Sequence, residues 1–118
     1  MNLDAALARL GGDRRLLADM IQFYLEDAPG LLEQCAASLE QKNVTGVERA
    51  AHSLKGLSAN FSAQRAIDAA RELETLARSN SLDGAADLLE KLEREVSELS
   101  KALEAHPAKA GSDSVATL

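Results

Sequence analysis

The turn Ala51-His52-Ser53-Leu54-Lys55-Gly56 sets an imidazole, an ammonium group and a position with no side chain within six residues of one another. Neutral imidazole is a nucleophile near pH 7, because the free group has a pKa of about 6.5. Its attack on phosphorus leaves a phosphoryl group on one ring nitrogen. The transition state spreads negative charge over the equatorial oxygens, and a nearby ammonium such as Lys55 offsets part of it. Gly56 needs its own reason, since a glycine inside a helix costs roughly 1 kcal/mol relative to alanine. The stretch 44–61 carries Glu48 against Arg49 and Lys55, so it is locally positive in a chain of net charge -6. A nucleophile, open access and a local cation fit a site that handles a transferable anion.

A helix turns about 100° per residue, which fixes where each of these groups points. With Leu54 as the core direction, Val47, Ala50, Ala51, Leu57, Ser58 and Phe61 cluster on the same side. His52 falls about 160° away, toward solvent, and Gly56 shares its direction one turn later. Ala59 lies close to that line, two turns on. Lys55 flanks the ring, within side-chain reach. Gly56 and Ala59 therefore leave a low patch beside an exposed imidazole.

Four substantial helices and a short leading one are needed to hold this turn. Leu3, Ala6, Leu7 and Leu10 make a short amphipathic helix that ends at Gly11-Gly12. Asp13 caps the next, whose apolar stripe is Leu16, Leu17, Met20, Ile21, Phe23 and Tyr24. Residues 14–41 form one long element with a joint near Pro29. Lys42-Asn43 marks a turn, with Asn43 as a cap, and the His52 helix spans 44–60. Ser62 caps its successor. Asn80-Ser81 closes that helix and opens the last, with Asn80 and Asp83 as a capping pair. Leu82, Ala85, Leu89, Leu92, Val96, Leu99 and Leu103 line the last helix. Short links force neighbours antiparallel. The expected fold is all-α: an antiparallel up-down-up-down four-helix bundle with a short additional N-terminal helix. It occupies 1–106, and 107–118 is a polar, flexible C-terminal tail.

Composition supports one helical domain and excludes several classes. The chain has 118 residues, 46% hydrophobic, and its aromatics are only Phe23, Tyr24 and Phe61. The acidic balance disfavours nonspecific binding to nucleic acid or to an anionic membrane. No apolar run reaches the length of a spanning helix, and the first residues lack the pattern of a secretory signal. Cys35 is the one cysteine, so no internal disulfide forms, and its neighbours mark it as a small core side chain. A cytoplasmic location is expected, either for a free protein or for the cytoplasmic domain of a membrane-bound one. No GxxxxGK[ST] loop or kinase-type glycine loop is present, so the phosphoryl group must come from another protein or domain.

The segment HSLKGLSANFS, His52 to Ser62, resembles the histidine phosphotransfer (HPt) family of two-component phosphorelays, whose pattern is close to His-x-Leu-Lys-Gly followed by Asn-Leu/Phe-Gly. The likeness extends over roughly residues 3–104. It implies that His52 is the phosphorylated nucleophile, that Lys55 stabilises phosphoryl charge and that Gly56 gives steric access. It implies transfer to and from receiver-domain aspartates of response regulators or of a hybrid sensor kinase, by a monomeric carrier that binds no cofactor. Mg²⁺ is expected in the partner receiver. Docking is expected at Glu48, Arg49 and Ala59 on the His52 face, with Gln22 and Glu26 on its rim. Ser62 departs from the family, which has glycine there.

Two other readings compete. The bundle could bind a partner without transfer, but docking alone does not require an imidazole. A metal site would need more ligands: His52 has no HxxxH or HExxH partner, and Glu48 alone does not make a zinc site. His106, the other histidine, stands apart from it, just before Pro107.

Overall fold

A computed structural model describes residues 1–106, and the expected tail 107–118 lies outside them. Five helices follow one another: α1 (Leu3–Arg9), α2 (Arg14–Glu40), α3 (Val44–Ala59), α4 (Gln64–Arg78) and α5 (Ala85–Glu104). α2 packs on α3, α3 on α4, α4 on α5, and α5 returns to α2, which closes a four-helix ring; α1 adds to α2. Cross-helix pairs run in opposite order along neighbours, as Glu48–Arg78 and Glu74–Lys55 do between α3 and α4. The bundle is thus antiparallel, with a short helix in front of it.

The caps explain three of the helix starts. Asn2, Asp13 and Asn43 side chains accept the backbone N–H groups of Ala5, Leu16 and Gly46, each at 3.0 Å. α2 runs unbroken through Pro29, whose missing N–H leaves the Leu25 carbonyl without its usual helical donor. The core on this side is Leu17, Ile21, Tyr24, Ala28 and Cys35, all 1% exposed or less. Burial pushes the Cys35 thiol up to about 11, with Glu93 adding to the shift, so it stays protonated and inert.

Several sequence expectations need correction. Leu16 and Phe23 do not belong to the core stripe of α2; they are 42% and 60% exposed. The apolar arc of α2 is wider than the face its neighbours cover, and these two residues fall on its uncovered edge. Ser62 does not cap α4. Its φ is +52°, a left-handed conformation, and Ala63 occupies the cap position without a side-chain bond. The turn from α3 to α4 needs that backbone shape, which accounts for glycine in the family pattern. Asn80 and Asp83 are not a capping pair either. Asn80 is left-handed (φ +62°) and ends α4, while Gly84 (φ +80°) stands at the start of α5. Ser81 Oγ accepts the Asp83 N–H at 3.2 Å within the intervening turn.

Gly46 has a reason that its place near a helix start did not reveal. A Cβ there would lie 2.8 Å from Ser38 Cβ and 2.9 Å from Asn43 Nδ2. Its bare backbone lets α3 approach α2 closely, which sets the depth at which α3 is seated.

Candidate functional site

α3 is locked in rotation by its inner face. Val47, Ala51, Leu54 and Ser58 have no exposed surface. Tyr24 backs this face from α2: its hydroxyl lies 3.5 Å from Ser58 Oγ, and its ring meets Phe61 edge-on at 5.7 Å. With those positions buried, His52 must face outward, and its side chain is 66% exposed.

The ring is nevertheless held. His52 Nδ1 lies 2.6 Å from Oε2 of Glu74, on α4, and Lys55 Nζ donates to Glu74 Oε1 at 2.6 Å. Arg78, one turn further along α4, donates to Glu74 Oε2 at 3.0 Å and to Glu48 Oε1 at 3.2 Å. The Glu74 side chain is 2% exposed. A carboxylate that far from water is costly unless charged donors surround it. Burial alone would raise its pKa, but the hydrogen bonds and charges of Lys55 and His52 together outweigh burial and hold it below the ordinary carboxylate value.

That ionised carboxylate dictates the tautomer. A carboxylate only accepts, so Nδ1 must carry the hydrogen. In the neutral ring the free lone pair is then on Nε2. The arrangement offers a nucleophilic nitrogen, fixed in orientation by a buried acceptor, with two cations within one side chain of it.

The other expected site residues divide between two flanks of α3. On the α4 flank, Glu48, Arg49, His52, Glu74 and Arg78 line one open depression of about 610 Å³. On the α2 flank, Gly56 has nothing within 4 Å of an added Cβ. It lines an open groove of about 650 Å³ with Glu26, Asp27, Gly30, Gln34 and Ser53. Glu26 accepts from Gln22 Nε2 at 2.9 Å, so those two residues are a bonded pair on α2. Ala59 is exposed at the end of α3.

With the geometry in place, comparison with known proteins settles the family. The Hpt domain profile matches residues 19–102. The chain belongs to the Hpt domain family. A solved structure, histidine-containing phosphotransfer protein B (HptB) from Pseudomonas aeruginosa PAO1, is similar at TM-score 0.79 and 27% identity, covering 86% of this chain and 89% of that one. No curated protein matches significantly. Phosphorelay function goes with membership, and Hpt domains generally interact with receiver domains. No helix among the described residues is long and apolar enough to cross a membrane.

Two residues of this Hpt domain escaped the sequence reading: Glu74 and Arg78. A signal for the first was present. Ile67, Ala70 and Ala77 are buried along one stripe of α4, and Glu74 occupies the same stripe. An acid on an apolar stripe demands a partner, and the partners are His52 and Lys55 on α3. Arg78 follows as its i+4 neighbour. Glu48, expected on the docking face, is the second acceptor of Arg78.

Proposed function

We propose that this Hpt domain carries a phosphoryl group on His52 Nε2 between receiver-domain aspartates. The reading rests above all on one observation: the buried Glu74 carboxylate on Nδ1 of an otherwise exposed ring. In the forward step the Nε2 lone pair attacks the phosphorus of a receiver aspartyl phosphate. The N–P bond forms as the P–O bond to the aspartate breaks, and the carboxylate leaves as an anion. The Nδ1 proton stays in place, hydrogen-bonded to Glu74. Transfer to a second receiver is the reverse of these events.

Lys55 and Arg78 share the task of balancing charge. Both are tied to Glu74 in the resting state, and either can turn toward phosphoryl oxygens without leaving its helix. Lys55 is 26% exposed and Arg78 is 62% exposed, so Arg78 has the greater freedom. Gly56 keeps the approach clear. The receiver supplies the divalent cation and its own acidic and basic catalytic groups, and this chain supplies the nucleophile and its orientation.

The test is transfer from phosphorylated receivers of the source organism. Wild type is expected to take up acid-labile, base-stable label, with phosphorus on Nε2 by NMR, and His52→Gln to take up none. Label persisting in His52→Gln, or no label on wild type from any receiver, overturns the reading.

A further inference from the structure

The ion pairs around His52 balance for an unphosphorylated ring. Lys55 and Arg78 face Glu74 and Glu48, and the imidazole beside them needs no charge of its own. Among the described residues, Arg49 is the one other charged side chain that lines the depression holding the ring. Glu26 and Asp27 of α2 lie across α3, in the other groove, and α5 contributes to neither. A phosphoryl group on Nε2 adds roughly two negative charges at this point.

Lys55 and Arg78 are the cations that answer such a group, and both hold Glu74 in the resting state. When they turn to the phosphoryl oxygens, Glu74 keeps one partner, the ring. The Glu74 side chain is 2% exposed, so water has little access to replace the lost donors. A carboxylate buried beside a neutral group is costly, and a cation beside it offsets that cost. The 2.6 Å contact between Nδ1 and Glu74 Oε2 adds a second constraint. A carboxylate only accepts hydrogen bonds. Were Nδ1 to lose its hydrogen, its lone pair would face a carboxylate lone pair with nothing between them.

We infer that Glu74 keeps the phosphorylated ring as an imidazolium, protonated on Nδ1, so that the domain holds its phosphoryl group in the labile form even in mildly alkaline solution. The inference rests on the phosphotransfer reading for the origin of that group and adds a control on its lifetime. When the N–P bond breaks toward an aspartate or a water oxygen, its electron pair returns to Nε2 and the ring leaves neutral. With water as acceptor, the water hydrogens go with the phosphate. From a ring without the Nδ1 hydrogen, the same step would expel an imidazolate, a far poorer leaving group. Glu74 is thus a positioning residue that acts through the ring, and it makes the domain a shuttle with a short dwell rather than a store.

The experiment labels the full chain with potassium phosphoramidate, which gives its phosphoryl group to Nε2 and leaves as ammonia. No receiver is needed. Nitrogen NMR of the histidine ring and the rate of label loss are followed from about pH 7 to about pH 9. Wild type is expected to keep Nδ1 protonated throughout and to lose label at a rate that is flat with pH. The amide of Glu74→Gln can turn and donate to a bare Nδ1. Its ring is expected to deprotonate within that range, and its label to persist about 10-fold longer than wild type at the alkaline end. Thermal unfolding confirms the fold of the variant, and the ring spectrum of wild type decides by itself if the variant does not fold. A bare Nδ1 on phosphorylated wild type at about pH 8, or one shared pH profile for the two proteins, overturns the inference. If wild type takes label from phosphoramidate but from no receiver, the transfer reading fails, while the labelled ring still shows whether Glu74 holds its proton.

Discussion

The two flanks of α3 solve opposite problems with the same helix. Toward α4 it is wired: His52, Lys55, Glu74, Arg78 and Glu48 form one continuous chain of ion pairs and hydrogen bonds. Toward α2 it is emptied: Gly56 faces Gly30 across an open groove. The wired flank fixes one ring nitrogen and leaves the other free. On the proposed phosphotransfer reading, the emptied flank gives another protein room to reach it. If His52 is the proposed nucleophile for a second macromolecule, it needs both, and their placement on opposite sides of one helix would keep the orienting groups out of the partner's path.

Removing the centre of the wired flank should have the largest effect. Glu74→Ala strips His52, Lys55 and Arg78 of their common acceptor. Stability is expected to fall by about 1–3 kcal/mol in chemical denaturation, because partly buried donors lose their partner. Transfer should slow by about 10- to 100-fold as the ring loses its fixed orientation. Glu74→Gln keeps the shape and one acceptor oxygen, so it should recover much of the stability. Acid titration sharpens the same point. Glu74 has a native pKa below its ordinary 4.5, so the native state binds fewer protons than the unfolded chain just under that value. Its stabilisation is full above pH 4.5 and is lost as pH falls through the depressed native value. In Glu74→Gln this part of the acid slope should vanish; an unchanged slope would mean that Glu74 is not held ionised by its partners.

The two glycines on the α2 side of α3 separate packing from access by the sign of their effects. Gly46→Ala forces a methyl group against Ser38, whose Cβ is anchored to α2 and cannot swing away. It is expected to destabilise by about 1–3 kcal/mol, the usual cost of overpacking. Gly56→Ala meets nothing and should stabilise by roughly 1 kcal/mol through helix propensity. Receiver transfer should nevertheless fall in Gly56→Ala, because the methyl group stands in the approach to His52. A variant that is more stable and less active would identify Gly56 as a residue kept for access. Equal losses of stability at the two positions would erase the distinction between a glycine kept for packing and one kept for access.

Much of this was legible in the chain itself. The apolar periodicity gave all five helices to within a few residues, and the direction of His52 followed from the residues that had to be buried around it. The wired flank was not legible, because it joins α3 to α4 and a helical wheel treats one helix at a time. Glu74 sits on a core stripe, so its charge was visible as an anomaly but its destination was not. The exposure of Phe23 was hidden for a related reason. Its apolar character is the same whether it faces a neighbouring helix or a partner, and only the placement of α3 and α5 decides which arc of α2 is covered. Turn chemistry misled where a side chain had two uses: Ser62 and Asn80 are good caps, but the chain needs their backbone in a left-handed conformation.

Ser62 provides the smallest and most local test. A non-glycine residue at φ +52° carries the left-handed penalty of roughly 1–2 kcal/mol, and glycine does not. Glycine gives back part of that gain through the greater freedom of the unfolded chain. Ser62→Gly should therefore stabilise by about 0.5–1 kcal/mol. The compensating loss is small, since Arg9 reaches Ser62 Oγ only at 3.5 Å while its bond to the Asn60 carbonyl, at 3.0 Å, is kept. Asn80→Gly is the control: asparagine tolerates the left-handed region better than serine, so its gain should be smaller. Transfer should not change in Ser62→Gly, because the turn lies beyond the end of α3 and touches neither flank of His52. A change in transfer rate without a change in stability would mean that the turn sets the position of α3, and that the two flanks are not independent of the end that joins α3 to α4.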